Sequence, residues 1–299
     1  MLKKIAIVGV GLIGGSFALA LKRAGAVRTV VGVGRSQATL ARAKELGIID
    51  VASTSMAEAV SEADLVLLAA PVAQTGTILA ALAPHLKPGT VVTDAGSTKT
   101  DVVVAARDAL GKKISQFVPG HPIAGRETNG PDAAIVDLYQ GKKVVLTALS
   151  ENDPHDVARV AWAWDQCGAI IHHLTPQQHD QVFAAVSHLP HLLAYALVDD
   201  IARKPHADLL FQYAASGFRD FTRIAGSSPE MWRDISLANK EAVLTELDAY
   251  LLQLQRLREL LVADDGMSLQ AVFANAQQAR HNWMRAIEAA EQQVKGGER

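Results

Sequence analysis

The sequence predicts an α/β protein in two parts, a mostly parallel sheet domain over residues 1–174 and an all-helical domain over residues 175–299. Three observations carry this expectation. Short runs rich in Val, Ile and Leu alternate with helical stretches through the first half, as parallel βαβ units do. The first run ends in a glycine-rich turn that opens a helix. After His173 the strand signals stop, and the remaining segments are periodic as helices.

Composition narrows the class further. With 49% apolar and 20% charged side chains, the 299 residues suffice for two buried cores. Basic and acidic residues number 29 and 31, a formal net charge of −2 with no basic stripe, so no nucleic-acid partner is expected. The single cysteine, Cys167, excludes an internal disulfide framework and an all-cysteine metal site, and the expected location is cytoplasmic. Lys3 and Lys4 ahead of the apolar stretch 5–21 imitate a secretory signal. Four glycines within that stretch, Gly9, Gly11, Gly14 and Gly15, argue instead for a turn, and no membrane association is expected.

In chain order the expected strands are 4–8, 29–33, 65–69, 91–94, 116–119, 143–147 and 169–173, with helices 14–24, 37–46, 75–82 and 100–110 between the early ones. The helical half divides into 176–203, 207–219, 229–262 and 268–295, and 295–299 reads as a polar tail. Leu237, Leu244, Leu247, Leu251, Leu254 and Leu261 recur mostly at three- and four-residue steps, a stripe suited to core or subunit packing. Apolar stripes of this length need a partner surface, so a homodimer is expected.

Ile5-Ala6-Ile7-Val8-Gly9-Val10-Gly11-Leu12-Ile13-Gly14 places Gly-x-Gly-x-x-Gly between a strand and a helix. Gly9 permits the tight turn, Gly11 lets the backbone approach a pyrophosphate, and Gly14 lets helix and strand pack closely. The pyrophosphate would sit at the helix N-terminus beside Leu12 and Ile13, the arrangement of a Rossmann-type dinucleotide site. A methyltransferase-type loop or a purely structural turn are the alternatives. The second strand ends Val33-Gly34-Arg35-Ser36 with no carboxylate for a ribose 2′-hydroxyl. Arg35 and Ser36 suit a 2′-phosphate, which favours NADP over NAD, although Arg35 reads nearly as well as a solvated loop residue. Ala70 and Pro71, after the third expected strand, complete the expected cofactor contacts together with Ser97.

Two loops follow later strands, where open α/β sheets place their ligands. One is Asp94-Ala95-Gly96-Ser97-Thr98-Lys99. The other is Gly120-His121-Pro122, in which His121 is either a structural ring or a general base with a pKa near neutrality. In the helical half, His188 and His191 lie three apart on a helix that Pro190 is expected to kink. No third ligand accompanies them, so no metal is expected. Arg219 and Arg223 sit at i and i+4, which suits an anionic substrate with two carboxylates, while Arg219 beside Asp220 also reads as a surface pair.

Taken in order, these segments, with Gly217 to Ala225 and Met231-Trp232-Arg233-Asp234, resemble the prephenate/arogenate (cyclohexadienyl) dehydrogenase family of tyrosine biosynthesis over residues 5 to about 240. The resemblance implies oxidative decarboxylation of a cyclohexadienyl substrate with hydride transfer to NAD(P), and a helical dimerisation domain. It implies that His121 takes the ring-hydroxyl proton and that Ser97 helps orient it. It places Arg223 on the ring carboxylate, and His191 and Trp232 near the substrate side chain, with Trp232 reaching across a dimer interface. His188 and Arg219 join the expected substrate contacts. Arg126-Glu127 departs from the small residue that many relatives carry before the glutamate, and Arg126 there would meet a substrate carboxylate. Two other readings compete. A β-hydroxyacid or 6-phosphogluconate-type dehydrogenase would need a helical-domain lysine, and the nearest one after His191 is Lys204, more than three turns away. A catalytically silent NADP-binding protein would need neither His121 nor Arg223.

Overall fold

The computed structural model describes residues 1–126 and 128–296, with side chains to residue 288. β1 (Leu2–Val8), α1 (Leu12–Arg23), β2 (Val27–Val33), α2 (Gln37–Glu45), β3 (Val51–Ser53) and α3 (Met56–Val60) form the first half of the nucleotide-type fold. β4 (Leu65–Leu68), α4 (Thr75–Leu82), β5 (Val91–Asp94), α5 (Thr100–Leu110) and β6 (Phe117–Val118) form the second. The strands pair in the order β3-β2-β1-β4-β5-β6, parallel throughout. The order reverses between β1 and β4, which opens a crevice at their carboxyl ends. In β1, Ile5 and Ile7 enter one core cluster while Ala6 and Val8 enter the other. Helices cover both faces of the sheet, so the strand reads as a continuous apolar run without polar alternation. The stretch that imitates a secretory signal is therefore the central strand and its first helix.

β7 (Gly120–Pro122), β8 (Lys143–Leu146), α6 (Pro154–Asp165) and β9 (Ile170–His173) add a three-stranded sheet in which β7 runs antiparallel to β8 and β8 parallel to β9. The expected strand 116–119 is only β6, and His121 lies on a strand rather than in a loop. Pro119 has no N–H to extend the first ladder, and its carbonyl accepts the Thr147 N–H at 3.0 Å, so the chain changes sheets there. β3, α3 and α6 lie outside the expected elements. α6 matters to the site because its buried Trp164 packs on Phe17 and Tyr139, with ring centroids 4.5 and 5.1 Å apart.

The helical half comprises α7 (Pro176–Phe183), α8 (Leu189–Ala202), α9 (Ala207–Gln212), α10 (Ser216–Thr222), α11 (Pro229–Ala238), α12 (Lys240–Val262) and α13 (Gly266–Gly296). Between α7 and α8 the segment Ala184–His188 is a π turn, where the sequence suggests a proline kink. Pro190 lacks an N–H and its ring excludes the carbonyl four residues back, so the ladder widens by one residue instead of breaking. The expected helix 207–219 is divided after Gln212, and 229–262 is divided at Asn239, whose buried side chain bonds the Asp180 carbonyl and His188. By internal contacts the chain forms two compact units, residues 1–243 and 244–299. Residue 174 thus marks a change of secondary-structure class, while the break in packing falls at 243. Leu237, Leu244, Leu251, Leu254 and Leu261 are exposed on this single chain. Pro176–Ala202 is apolar and long enough to cross a bilayer, with mean hydropathy 1.3, but Asp180 on it accepts the backbone N–H groups of Lys99 and Thr100 and so belongs to the α/β unit. Of the expected polar tail, 297–299 lie outside the described residues.

Candidate active site

The glycine turn divides its labour. Gly9 has φ +98°, and a Cβ there would lie 2.5 Å from the Ala69 carbonyl oxygen, while a Cβ on Gly14 would lie 2.3 Å from the Gly9 oxygen. These two glycines shape the turn. Nothing lies within 4 Å of a Cβ built on Gly11, which together with Leu12 and Ile13 faces a cleft of about 440 Å³. No side chain caps α1, so its first-turn N–H groups are left for a ligand, and the Tyr139 hydroxyl donates to the Ile13 carbonyl at 2.6 Å to fasten the turn from behind. Ala70, Pro71 and Ser97 line the same cleft. These features fit a dinucleotide pyrophosphate. The Gly9 N–H donates to the Val33 carbonyl at 3.0 Å, which brings Gly34, Arg35 and Ser36 beside the turn. Ser36 caps α2 through its hydroxyl, Arg35 makes no ion pair among the described residues, and nearby Arg42 is committed to Asp132 at 2.6 Å. A wider groove of about 580 Å³ lies by residues 86–89 and 115–116, at the amino ends of β5 and β6, the end of the sheet where such folds do not bind ligands.

His121 reaches the cleft from β7. Its Nδ1 lies 2.8 Å from Nε2 of His179, and Nδ1 of His179 lies 2.8 Å from Oδ1 of Asp180. Asp180 also accepts the Lys99 N–H at 2.8 Å and the Thr100 N–H at 2.7 Å. The Lys99 side chain turns the other way and meets Oδ2 of Asp94 at 2.5 Å, both groups fully buried. Asp94 accepts the N–H groups of Gly96 (2.8 Å) and Gly120 (3.0 Å) as well, so one carboxylate ties the Ser97 loop to the His121 strand. Burial, reinforced by the charges of His179, Lys99 and His188, pulls the His121 pKa well below that of an ordinary imidazole. Burial also lowers His179, against the opposing pull of Asp180. Burial alone would raise Asp180, yet hydrogen bonds from His179, Thr100 and Lys99 hold it below the usual carboxylate range.

The remaining expected residues separate into three places. Arg126 lines the cleft, with Asp234 of α11 also on its wall, and Glu127 lies outside the described residues. His191 and Trp232 stack at 3.4 Å and 18° outside that wall, and His191 Nδ1 meets the Ser187 carbonyl at 2.8 Å. Trp232 packs on a histidine of its own chain here, and its buried Nε1–H has no acceptor among the described residues. The charge of Arg223 acts on His191, and burial lowers the pKa of that ring. His188 is placed differently from the expectation: it is 1% exposed, bonded to Asn239 at 3.1 Å and to the Ser97 backbone, with its pKa lowered by burial to about 4. It supports the Ser97 loop from behind, away from the cleft wall. Arg219 is exposed, 3.8 Å from Asp220, as a surface pair would be. Lys204 pairs with Asp200 on the surface at 2.7 Å, away from the cleft wall. Sequence reading missed His179 and Asp180. Their signal was the Thr175–Gln178 capping box, which fixes the start of α7 and turns the adjacent His-Asp pair toward the β5–α5 loop.

A parallel nucleotide-type sheet, an open glycine turn and a half-buried histidine with a lowered pKa at one cleft define a nicotinamide dinucleotide-dependent oxidoreductase. The nucleotide-binding domain pattern of prephenate dehydrogenase matches residues 17–173, and its dimerization domain pattern matches residues 175–275. The cyclohexadienyl dehydrogenase of Zymomonas mobilis is 39% identical over 280 residues, 93% of this chain and 95% of that protein. The crystal structure of Aquifex aeolicus prephenate dehydrogenase with hydroxyphenyl propionate and NAD+ superposes with a TM-score of 0.88 at 38% identity, covering 94% of this chain and 98% of that one. Synechocystis arogenate dehydrogenase gives 0.80 at 32%, covering 94% and 99%. The chain belongs to the prephenate dehydrogenase family.

Proposed function

We propose that the cleft carries out the oxidative decarboxylation of prephenate, arogenate or both, giving 4-hydroxyphenylpyruvate or tyrosine, with His121 as the base. The observation that carries this reading is His121 on the cleft wall with Nδ1 already engaged by His179, which leaves Nε2 as the ring nitrogen for a substrate. A bound nicotinamide dinucleotide supplies the hydride acceptor. Nε2 of His121 takes the ring-hydroxyl proton as hydride leaves the same carbon. It returns that proton to the oxygen as the ring carboxylate departs as carbon dioxide, so the reaction releases no net proton. Aromatisation makes the step strongly downhill, and the residues mainly orient the reacting groups. Ser97, on the cleft wall, orients the hydroxyl. Arg223, whose charge reaches His191, holds the ring carboxylate, His191 and Trp232 lie toward the substrate side chain, and Arg126 on the cleft wall meets a substrate carboxylate. An arginine that stabilised the departing carboxylate as strongly as the transition state would gain nothing in rate.

Arg35 and Ser36 beside the glycine turn, with no acid at the end of β2, favour NADP over NAD. Residues 1–174 bind the dinucleotide. Residues 175–299 contribute to the substrate site and, through the exposed leucines, to a homodimer. The single thiol, buried with its pKa pushed above the physiological range, fits a cytoplasmic protein. The test is a two-by-two assay of prephenate or arogenate with NAD or NADP, run on the parent and on His121→Asn. Turnover by the parent in one cell or more, and a loss of ~10²–10⁴-fold in kcat in the variant, supports the reading. Silence of the parent in all four cells, or parent-like turnover by His121→Asn, overturns it.

A further inference from the structure

α7 starts at a capping box in which the Thr175 hydroxyl and the Gln178 side chain satisfy each other's backbone N–H groups. That fixed start points the two residues that follow, His179 and Asp180, into the α/β unit, where both are buried. We infer that His179 and Asp180 are positioning residues that hold His121 as its Nδ1–H tautomer and keep its Nε2 bare toward the substrate hydroxyl. The inference rests on the reading of His121 as the base.

The assignment follows from counting donors. Asp180 is clamped by two backbone N–H groups, Lys99 on Oδ1 and Thr100 on Oδ2, so its carboxylate cannot turn away. An ionised carboxylate only accepts, so the 2.8 Å contact requires a proton on Nδ1 of His179. A neutral ring protonated at Nδ1 has a bare Nε2. The 2.8 Å contact from that Nε2 to His121 then requires the proton to sit on Nδ1 of His121. The opposite arrangement would set a bare Nδ1 of His179 against a carboxylate oxygen, lone pair against lone pair, inside a buried site. Phe183 packs against both rings, with its ring centroid 5.0 Å from that of His121 and 4.5 Å from that of His179, and His179 and Asp180 are both buried.

The charges facing His121 are the cations or potential cations Lys99, His179 and His188 and, through His179, the anion Asp180. Lys99 is already neutralised by Asp94. When Nε2 takes the hydroxyl proton, the transient imidazolium is therefore answered chiefly by Asp180 across the His179 ring. The proton then leaves by the route it came, and the tautomer chain stays as it was. No ring has to rotate between turnovers.

Asp180→Asn tests this directly. The amide cannot accept from both clamping N–H groups, so one of them is lost together with the charge that fixes the proton on Nδ1 of His179. A share of the rings then shifts to the tautomer with a proton on the catalytic Nε2. The expected result is a fall of ~10²–10⁴-fold in kcat with KM and dinucleotide affinity within about threefold, as for the loss of a residue acting through the base. His179→Gln keeps an acceptor for the Nδ1–H of His121 but removes the link to the carboxylate, so its kcat should fall between those of the parent and Asp180→Asn. Nitrogen-15 NMR of the histidine rings supplies the readout that a merely structural role would not move. The parent should show His121 protonated at Nδ1, and Asp180→Asn should show a mixture of the two His121 tautomers, with a share protonated at Nε2. Parent-like kcat in folded Asp180→Asn, or an Nε2–H ring in the parent, overturns the inference. If Asp180→Asn fails to fold, the parent spectrum still decides. A parent silent toward both substrates would overturn the functional reading, and its spectrum would still report on the relay alone.

Discussion

Acid should destabilise this protein, and the share that His188 contributes can be worked from its surroundings. His188 is 1% exposed and neutral, with Nδ1 accepting from Asn239 and its ring bonded to the Ser97 backbone, and burial lowers its pKa from 6.5 to about 4. Between those two values the unfolded chain binds a proton that the folded chain refuses. Stability is therefore full above pH 6.5 and falls as the pH drops toward 4. The linkage relation with these two pKa values gives a loss of about 2 kcal/mol at pH 5 and about 3 kcal/mol at pH 4 from this ring alone. His121, His179 and His191 shift in the same direction, but they remain in a His188→Gln variant and cancel in the comparison. Urea unfolding of parent and variant at pH 7.5 and pH 5.0, at fixed ionic strength, is the assay. The variant should be the less stable of the two at pH 7.5, and its loss on acidification should be smaller than the parent's by about 2 kcal/mol. Equal losses in the two proteins would refute the buried, neutral assignment of His188.

The other expectations use the same contacts. Lys99→Met strands the buried Asp94 carboxylate and should cost about 3–5 kcal/mol in urea unfolding, with Asp94→Asn added in the same chain restoring part of it; a loss under about 1 kcal/mol would show that the pair is not desolvated. Gly14→Ala puts a Cβ 2.3 Å from the Gly9 carbonyl oxygen, a backbone atom that cannot swing aside, and should lower stability by about 1–3 kcal/mol and weaken dinucleotide binding in calorimetry. Arg35→Ala should weaken NADP by about tenfold or more and leave NAD nearly unchanged, because a charge-assisted bond to a 2′-phosphate is worth about 1.5–3 kcal/mol. Equal effects on both dinucleotides would remove Arg35 from the 2′-phosphate.

The sequence by itself determined what repeats locally. The alternation of apolar runs with helical stretches, and a glycine turn between Val8 and Leu12, depend only on neighbours in the chain, and they specify the parallel sheet and the mouth of its crevice. The bounds of α4 and α5 were legible to the residue for the same reason. The division of the region around Pro119 between two sheets was not legible, because it depends on Thr147 reaching its carbonyl from 28 positions further on. Nor was the fate of the histidines. Adjacent or three-apart spacing cannot say which ring meets the cleft and which is buried behind a loop. That was decided when α7 packed against the β5–α5 loop, where Lys99 gives its side chain to Asp94 and its backbone to Asp180. Periodicity is a property of the chain, whereas a hydrogen-bond relay among His121, His179 and Asp180 exists only once distant segments have excluded water from between them.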